Sequence, residues 1–210
     1  TFNEILSVAA GQYLLAKFPP NERFQTDKMV QQMHNMMVAH ARAILAFKEM
    51  NAEGEIGIIH ILETRYPYNS EDPKDQEAVR KDDTISNKFL LDRTFLGVLS
   101  PETEETINGI LEQNNMSYTV YDGDVEVLRQ AAELNDFLGI NYYQSTFVQY
   151  YEGENNINLN GTGKKGTSIY AFKGIGQYKF DIDIPRTDWD WLIYPKGLYD
   201  QIMRIIKDYP

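Results

Sequence analysis

The side chains whose types and spacing could carry chemistry are few, and the histidines come first. His34, His40 and His60 have no carboxylate partner at metal-ligand spacing, and the six-residue offset between His34 and His40 points them away from a shared ligand geometry. We therefore expect all three histidines to be structural and expect no metal site. The chain also lacks the Gly-x-Ser-x-Gly motif of serine hydrolases.

A glycine-rich stretch and a group of aspartates lie late in the chain. Residues 161–166, Gly-Thr-Gly-Lys-Lys-Gly, hint at a phosphate-binding loop, which would need Ser or Thr after Lys164 and a helix to follow. Lys165 follows instead, and the next residues alternate as in a strand, so this pattern predicts a hairpin tip. The aspartates are expected to be solvated or to cap turns; they are Asp181, Asp183, Asp188 and Asp190.

Composition limits the kind of protein and its partners. Of the 210 residues, 42% are hydrophobic and 12% aromatic, which predicts a globular protein with a sizeable core. Because the chain has no cysteine, a disulfide scaffold and a thiolate metal site are excluded. A net charge of −11 argues against nucleic-acid binding and weakly against an anionic membrane surface. No apolar stretch is long enough to predict a membrane span.

Hydrophobic periodicity predicts the helices that must position a site. The strongest helix signal covers residues 23–50, with Thr26 as the expected N-cap. Its apolar residues recur at three- and four-residue spacing and predict one buried stripe, which consists of Met29, Met33, Met37, Ala41 and Ile44. Further helices are predicted over 75–99, 101–113 and 125–134, and from 195 onward.

Strand signals separate these helices. Two apolar runs, 56–62 and 136–143, predict strands buried on both faces, as in a parallel sheet. Residues 2–6 are predicted to end a strand, and residues 118–121 to form a short strand. Residues 64–73 are predicted to form a loop. Residues 144–184 are predicted to form a strand-rich excursion instead of a second domain. The alternation of strands and helices predicts an α/β fold. On pattern alone, an open doubly wound sheet and part of an eight-stranded barrel both remain possible.

Several segments, in order, resemble family 1 glycoside hydrolases. They are Thr-Phe-Asn-Glu at 1–4, Asp-Phe-Leu-Gly-Ile-Asn-Tyr-Tyr at 136–143, and Trp-Asp-Trp-Leu-Ile-Tyr-Pro-Lys-Gly-Leu-Tyr at 189–199. Segments 11–20 and 34–43, together with Ile5 after the glutamate, are similar to the 6-phospho-β-galactosidase group of that family. Order and spacing agree along the whole chain. The resemblance implies a partial (β/α)8 TIM barrel, from the end of strand 4 through helix 6, in a single domain over 1–210.

The resemblance implies a role for Glu4. A retaining glycosidase needs one carboxylic acid that protonates the leaving oxygen and then deprotonates water, and a second carboxylate about 5–5.5 Å away that attacks the anomeric carbon. Glu4 matches the first of these, the general acid/base. Without the resemblance, an exposed glutamate near a chain end would be the default interpretation. The nucleophilic glutamate and the phosphate-binding residues of the group are expected beyond Pro210.

Four more residues match substrate-binding positions of the family. Asn3 matches the residue that binds the sugar's 2-hydroxyl group, and Asn141 and Tyr143 match positions near the nucleophile. Trp191 matches an aromatic residue on the aglycone side of the cleft, with core packing as the competing interpretation. The resemblance implies no cofactor and a phosphorylated disaccharide as the substrate.

The expected activity is the retaining hydrolysis of 6-phospho-β-galactosides such as lactose 6-phosphate, in cytoplasmic lactose catabolism. Alternatives are a 6-phospho-β-glucosidase or a non-catalytic sugar-binding remnant. Because the chain starts at Thr1 and its opening residues resemble the end of a strand, we expect an internal part of a longer protein, inactive by itself. The sequence leaves the oligomeric state open.

Overall fold

A computed structural model describes residues 1–159 and 164–210. The α-helices are α1 (Ile5–Tyr13), α2 (Thr26–Glu49), α3 (Pro73–Asp83), α4 (Phe89–Phe95), α5 (Pro101–Glu112), α6 (Asp124–Ala132) and α7 (Pro195–Asp208). The strands are β1 (Gly57–Ile61), β2 (Arg65–Pro67), β3 (Phe137–Asn141), β4 (Thr146–Gln149), β5 (Asn156–Asn158), β6 (Ile169–Phe172) and β7 (Gly176–Tyr178). A π-helical stretch, Thr84–Lys88, connects α3 to α4.

The described residues divide into two compact units. Unit 1 contains residues 1–62, 86–141 and 209–210, and unit 2 contains residues 63–85 and 142–208. This division describes packing, so the expectation of a single domain over 1–210 stays a prediction. The expected hairpin tip falls partly on residues 160–163, which lie outside the described residues.

Parallel strand pairing organises unit 1. Strand β1 pairs with β3 in parallel, from Gly57 opposite Phe137 to Ile61 opposite Asn141. Asn3 forms a parallel bridge to Ile59 on the other side of β1. Three consecutive segments therefore run in parallel in chain order, separated by helices, as the α/β prediction requires.

Helix α2 supplies much of the core of unit 1. The five residues of its predicted apolar stripe are all buried, and α2 packs against α1, α4 and α6. The N-cap prediction was wrong by one residue. The carbonyl of Gln25 already accepts a hydrogen bond from the Met29 amide (3.0 Å), so Gln25 is the cap and the buried Thr26 is the first helical residue.

Three other predictions for unit 1 need correction. Residues 118–121 form no strand, because the Thr119 amide and carbonyl exchange hydrogen bonds with the Gln31 side chain (2.7 and 3.0 Å) instead of with a neighbouring strand. The strand end predicted over 2–6 comes earlier, since Asn3 forms the bridge to Ile59 and α1 begins at Ile5. Strand β3 is half-buried and shorter than predicted, and among the described residues it pairs only with β1.

Unit 2 contains the predicted strand-rich excursion. Its five-stranded sheet has the order β2-β4-β7-β6-β5, with β2 and β4 parallel and the remaining neighbours antiparallel. Helix α3 packs on β2, β4 and β7. Strand β2 lies inside the segment predicted as a loop; it has three residues, too few for a periodic pattern to be visible.

Helix α7 was predicted correctly, but it buries a glycine and a polar residue and leaves large apolar side chains exposed. Within unit 2, its buried residues are Gly197 and Gln201, and the Arg204 guanidinium donates to both carboxylate oxygens of Asp83 at 2.7 Å. Its large apolar side chains are exposed; they are Leu198, Ile202, Met203 and Ile206. In the described part of the chain, no helix combines the length and apolar character needed to cross a bilayer.

Candidate active site

Glu4 lies where a strand-like segment turns into a helix. The Ile59 amide donates to the Phe2 carbonyl (3.1 Å), and the Glu4 amide donates to the Ile59 carbonyl (2.9 Å). These two bonds fix the opening segment against β1. Because α1 starts at the next residue, Glu4 is also the N-cap of that helix.

The backbone of Glu4 adopts a left-handed conformation, with φ 55° and ψ 59°. A residue with a Cβ atom pays about 1–2 kcal/mol for this conformation. Such strain persists only where surrounding contacts over-determine the backbone, and it is concentrated at functional sites. Here the β1 pairing on one side and helix α1 on the other hold the turn.

Two hydrogen bonds hold the Glu4 carboxylate. The Asn141 side-chain amide donates to Oε1 at 2.7 Å, and the Ser7 hydroxyl donates to Oε2 at 2.9 Å. The Asn141 amide also donates to Oδ1 of Asn3 at 3.1 Å. A carboxylate only accepts hydrogen bonds, so the NH2 group of Asn141 must face Glu4.

The structure thus brings together three of the residues singled out from the sequence, Asn3, Glu4 and Asn141. Asn141 is the last residue of β3, and Asn3 and Glu4 follow the bridge to β1, so all three lie at the carboxyl ends of parallel strands. Active sites of (β/α)8 barrels are built at that end of the strands. The catalytic and binding roles of these residues remain predictions.

The other two residues, Tyr143 and Trp191, pack against each other in unit 2. Their ring centroids are 5.3 Å apart, with planes inclined by 49°. Tyr143 is 45% exposed and Trp191 is 39% exposed, so neither is a core residue of unit 2. A pair of partly exposed aromatic rings is suited to contact with the apolar face of a sugar.

One aspartate near Trp191 was predicted incorrectly. Asp190 is buried, and its carboxylate accepts from the Arg186 guanidinium (3.0 Å) and from the Gly166 amide (2.7 Å). Arg186 is only four residues away, but the turn that brings the two together leaves Asp190 at φ 67°, which the sequence pattern did not reveal. Asp181, Asp183 and Asp188 are exposed, as expected.

The three histidines are buried in unit 1. Burial lowers the pKa of His34, lowers that of His40 to about 4 and lowers that of His60 to about 3. The His60 Nε2 group lies 2.9 Å from the Thr94 hydroxyl, which itself donates to the Leu90 carbonyl; His60 therefore donates to Thr94. Among the described residues, no group of three or more His, Asp or Glu side chains is arranged to hold a metal ion.

Sequence reasoning missed one buried carboxylate partner and one site residue. Nε2 of His34 lies 2.9 Å from the Asp124 carboxylate, a pair separated by 90 residues in the sequence. Ser7 contacts Glu4 from the first turn of α1, a helix that the hydrophobic pattern did not predict. Had α1 been recognised, the spacing of three residues between Glu4 and Ser7 would have placed both side chains on one helix face.

Comparison with known proteins agrees with this geometry. The family model for glycosyl hydrolase family 1 matches residues 1–210. A 6-phospho-β-galactosidase from Staphylococcus epidermidis is 54% identical over all 210 residues, and one from Staphylococcus aureus is 53% identical. The chain spans 45% of the length of each of these relatives.

Solved structures show the same fold. The β-glucosidase BglU from Micrococcus antarcticus matches the whole chain with a TM-score of 0.78 and 28% identity, and 43% of its own length is covered. A β-glucosidase from Exiguobacterium marinum matches 99% of the chain with a TM-score of 0.74 and 22% identity, and 41% of its length is covered. The predicted fold, part of a (β/α)8 barrel, is confirmed. The chain belongs to glycosyl hydrolase family 1.

Proposed function

We propose that the protein carrying this chain is a retaining glycoside hydrolase that cleaves 6-phospho-β-galactosides such as lactose 6-phosphate. The observation that carries the proposal is the Glu4 carboxylate, held at the carboxyl ends of parallel strands by Asn141 and Ser7. The identity of 54% with a staphylococcal 6-phospho-β-galactosidase supports the choice of substrate.

Glu4 acts as the general acid/base in the proposed reaction. In the first step, its carboxyl proton passes to the glycosidic oxygen while a second carboxylate attacks the anomeric carbon and the aglycone leaves. In the second step, the Glu4 carboxylate takes a proton from water, whose oxygen displaces the enzyme carboxylate from the anomeric carbon. We expect that second carboxylate to come from sequence beyond Pro210.

The remaining site residues hold the sugar in this proposal. Asn3 binds the 2-hydroxyl group, Asn141 and Tyr143 orient the nucleophile and the sugar, and Trp191 contacts the aglycone. The reaction uses two carboxyl groups and water, so no cofactor is expected. Lactose 6-phosphate is an intracellular metabolite in this scheme, and a cytoplasmic location in lactose catabolism is part of the proposal.

The assay compares nitrophenyl 6-phospho-β-galactoside with nitrophenyl 6-phospho-β-glucoside and with the unphosphorylated galactoside. A polypeptide that continues beyond Pro210 is expected to cleave the phosphogalactoside at least about tenfold better than the others, because a site built to bind an axial 4-hydroxyl group and a phosphate discriminates against ligands that lack either one. Residues 1–210 alone are expected to be inactive. Preference for the phosphoglucoside would identify a 6-phospho-β-glucosidase, and no cleavage of any substrate would identify a non-catalytic protein.

A further inference from the structure

Ser7 contacts the Glu4 carboxylate from the helix that Glu4 caps. Its side chain is in the first turn of α1 and partly buried, and its hydroxyl donates to Oε2 at 2.9 Å. Asn141 reaches Oε1 from β3, across the parallel sheet. Each carboxylate oxygen therefore has its own donor, from a different element.

Two donors constrain the carboxylate more than one does. With Asn141 alone, the carboxyl group could still turn about its Cγ–Cδ bond while keeping one hydrogen bond. The Ser7 hydroxyl fixes the second oxygen and so fixes the plane of the carboxyl group. A group that delivers a proton gains rate from such orientation, because reacting atoms that are misplaced by an ångström lose much of the benefit of proximity.

Ser7 and Asn141 differ in how they can bond to a protonated Glu4. The NH2 group of Asn141 can only donate, so a proton on Oε1 that faced it would meet another proton. Ser7 donates to one lone pair of Oε2, and the other lone pair remains available for a proton that faces the substrate. Ser7 can therefore remain bonded to Oε2 both when Glu4 is a carboxylate and when it is an acid.

We propose that Ser7 is a positioning residue for Glu4, and that Oε2, the oxygen beside the Ser7 hydroxyl, carries the proton that Glu4 transfers. This inference rests on the proposed function. A donated hydrogen bond stabilises a carboxylate more than the corresponding acid. Its removal should favour the acid and loosen the orientation of the carboxyl group.

The test measures kcat/KM against pH in the active protein, for a substrate with a poor leaving group. Ser7→Ala is expected to lower kcat/KM by about 3- to 30-fold and to move the alkaline limb of the profile to higher pH, by about half a pH unit to one unit. Ser7→Thr, which keeps the hydroxyl, should restore the position of the limb. Ser7→Cys places a weak donor of similar size at this position and should shift the alkaline limb in the same direction as Ser7→Ala. The cysteine variant replaces the alanine variant in the test if the latter does not fold.

Ser117→Ala is the matched control, since Ser117 is an exposed serine of unit 1, and it should keep the wild-type profile. Profiles of Ser7→Ala and Ser7→Cys that match wild type would overturn the role of Ser7 while leaving the hydrolase proposal intact. A wild-type protein that cleaves none of the substrates would overturn both. A loss of activity that Ser7→Thr shares, without any shift of the limb, would indicate a structural role only.

Discussion

Two acids of this chain, one in each unit, are held in different ways. In unit 2, Asp82 is 2% exposed and accepts hydrogen bonds from the Arg65 guanidinium and from the Tyr178 hydroxyl (3.1 and 3.2 Å). In unit 1, the Glu4 carboxylate accepts hydrogen bonds from the Asn141 amide and the Ser7 hydroxyl, which are both neutral groups. A carboxylate held by neutral donors can gain a proton without leaving a buried cation uncompensated. This difference agrees with the proposed role of Glu4 in proton transfer, whereas the ion pair of Asp82 with Arg65 stabilises unit 2.

The pKa values of Arg65 in unit 2 and of the three histidines in unit 1 are shifted in opposite directions. Burial alone would lower the pKa of Arg65, but the facing Tyr178, Asp82 and Glu63 raise it well above its usual range. All the histidines lie in unit 1, where burial lowers their pKa values. Arg65 of unit 2 is thus a buried cation compensated by carboxylates, whereas the buried histidines of unit 1 are neutral and become charged only on unfolding or in acid.

The largest expected effect comes from breaking the buried ion pair. Arg65→Met leaves Asp82 and Glu63 without their cation and should lower the free energy of unfolding by about 3–5 kcal/mol. Urea denaturation of the purified protein measures the change. The control is Lys173→Met, which removes an exposed cation from the same unit and should change stability by no more than about 0.5 kcal/mol. Equal effects of the two variants would show that the pair contributes nothing.

A smaller effect should appear in the acid sensitivity of unit 1. The pKa of His60 is about 3 in the folded protein, below the usual value of 6.5, so the unfolded chain binds the proton more readily. The stability that the neutral His60 contributes is fully present above pH 6.5 and is lost as the pH falls from 6.5 toward 3. At pH 5 the loss relative to neutral pH amounts to roughly 2 kcal/mol.

The measurement is the free energy of unfolding at pH 7.5 and at pH 5, for the wild type and for His60→Gln. The carboxyl groups titrate equally in both proteins, so the difference between the two pH dependences isolates the histidine. A flatter pH dependence in His60→Gln is expected. An identical dependence in both proteins would mean that His60 is protonated without cost in the folded state.

The helices and strands that could be predicted are those indicated by a pattern of residue types along one continuous segment. The stripe of α2, the apolar run of β1, the start of α7 at Pro195 and the alternation around β6 are all local patterns, and the structure contains each of them. The meeting of Asn3 and Glu4 with Asn141 was predictable only because the resemblance assigned them to the carboxyl ends of strands 4 and 6 of one barrel.

What could not be predicted depends on residues distant in sequence. Asp82 meets Tyr178 across 96 residues, and Thr119 pairs with Gln31 across 88 residues, so no local pattern indicates either contact. Ser7 is different, since it is only three residues from Glu4. Its contact was missed because α1 has weak amphipathic character and was not recognised as a helix, which is the element that brings the two side chains together.

The central claim is that Glu4 is the general acid/base. The kinetics of Glu4→Gln in the active protein test it most directly. Glu53→Gln is the control, because Glu53 is an exposed glutamate of the same unit. For a substrate with a poor leaving group, Glu4→Gln should lower kcat/KM by about 10²- to 10⁴-fold. For an activated substrate the loss in the first step should be much smaller, and azide should partly restore turnover by replacing water in the second step. Unchanged kinetics on the poor substrate, or an equal loss on both substrates that azide leaves untouched, would contradict the assignment.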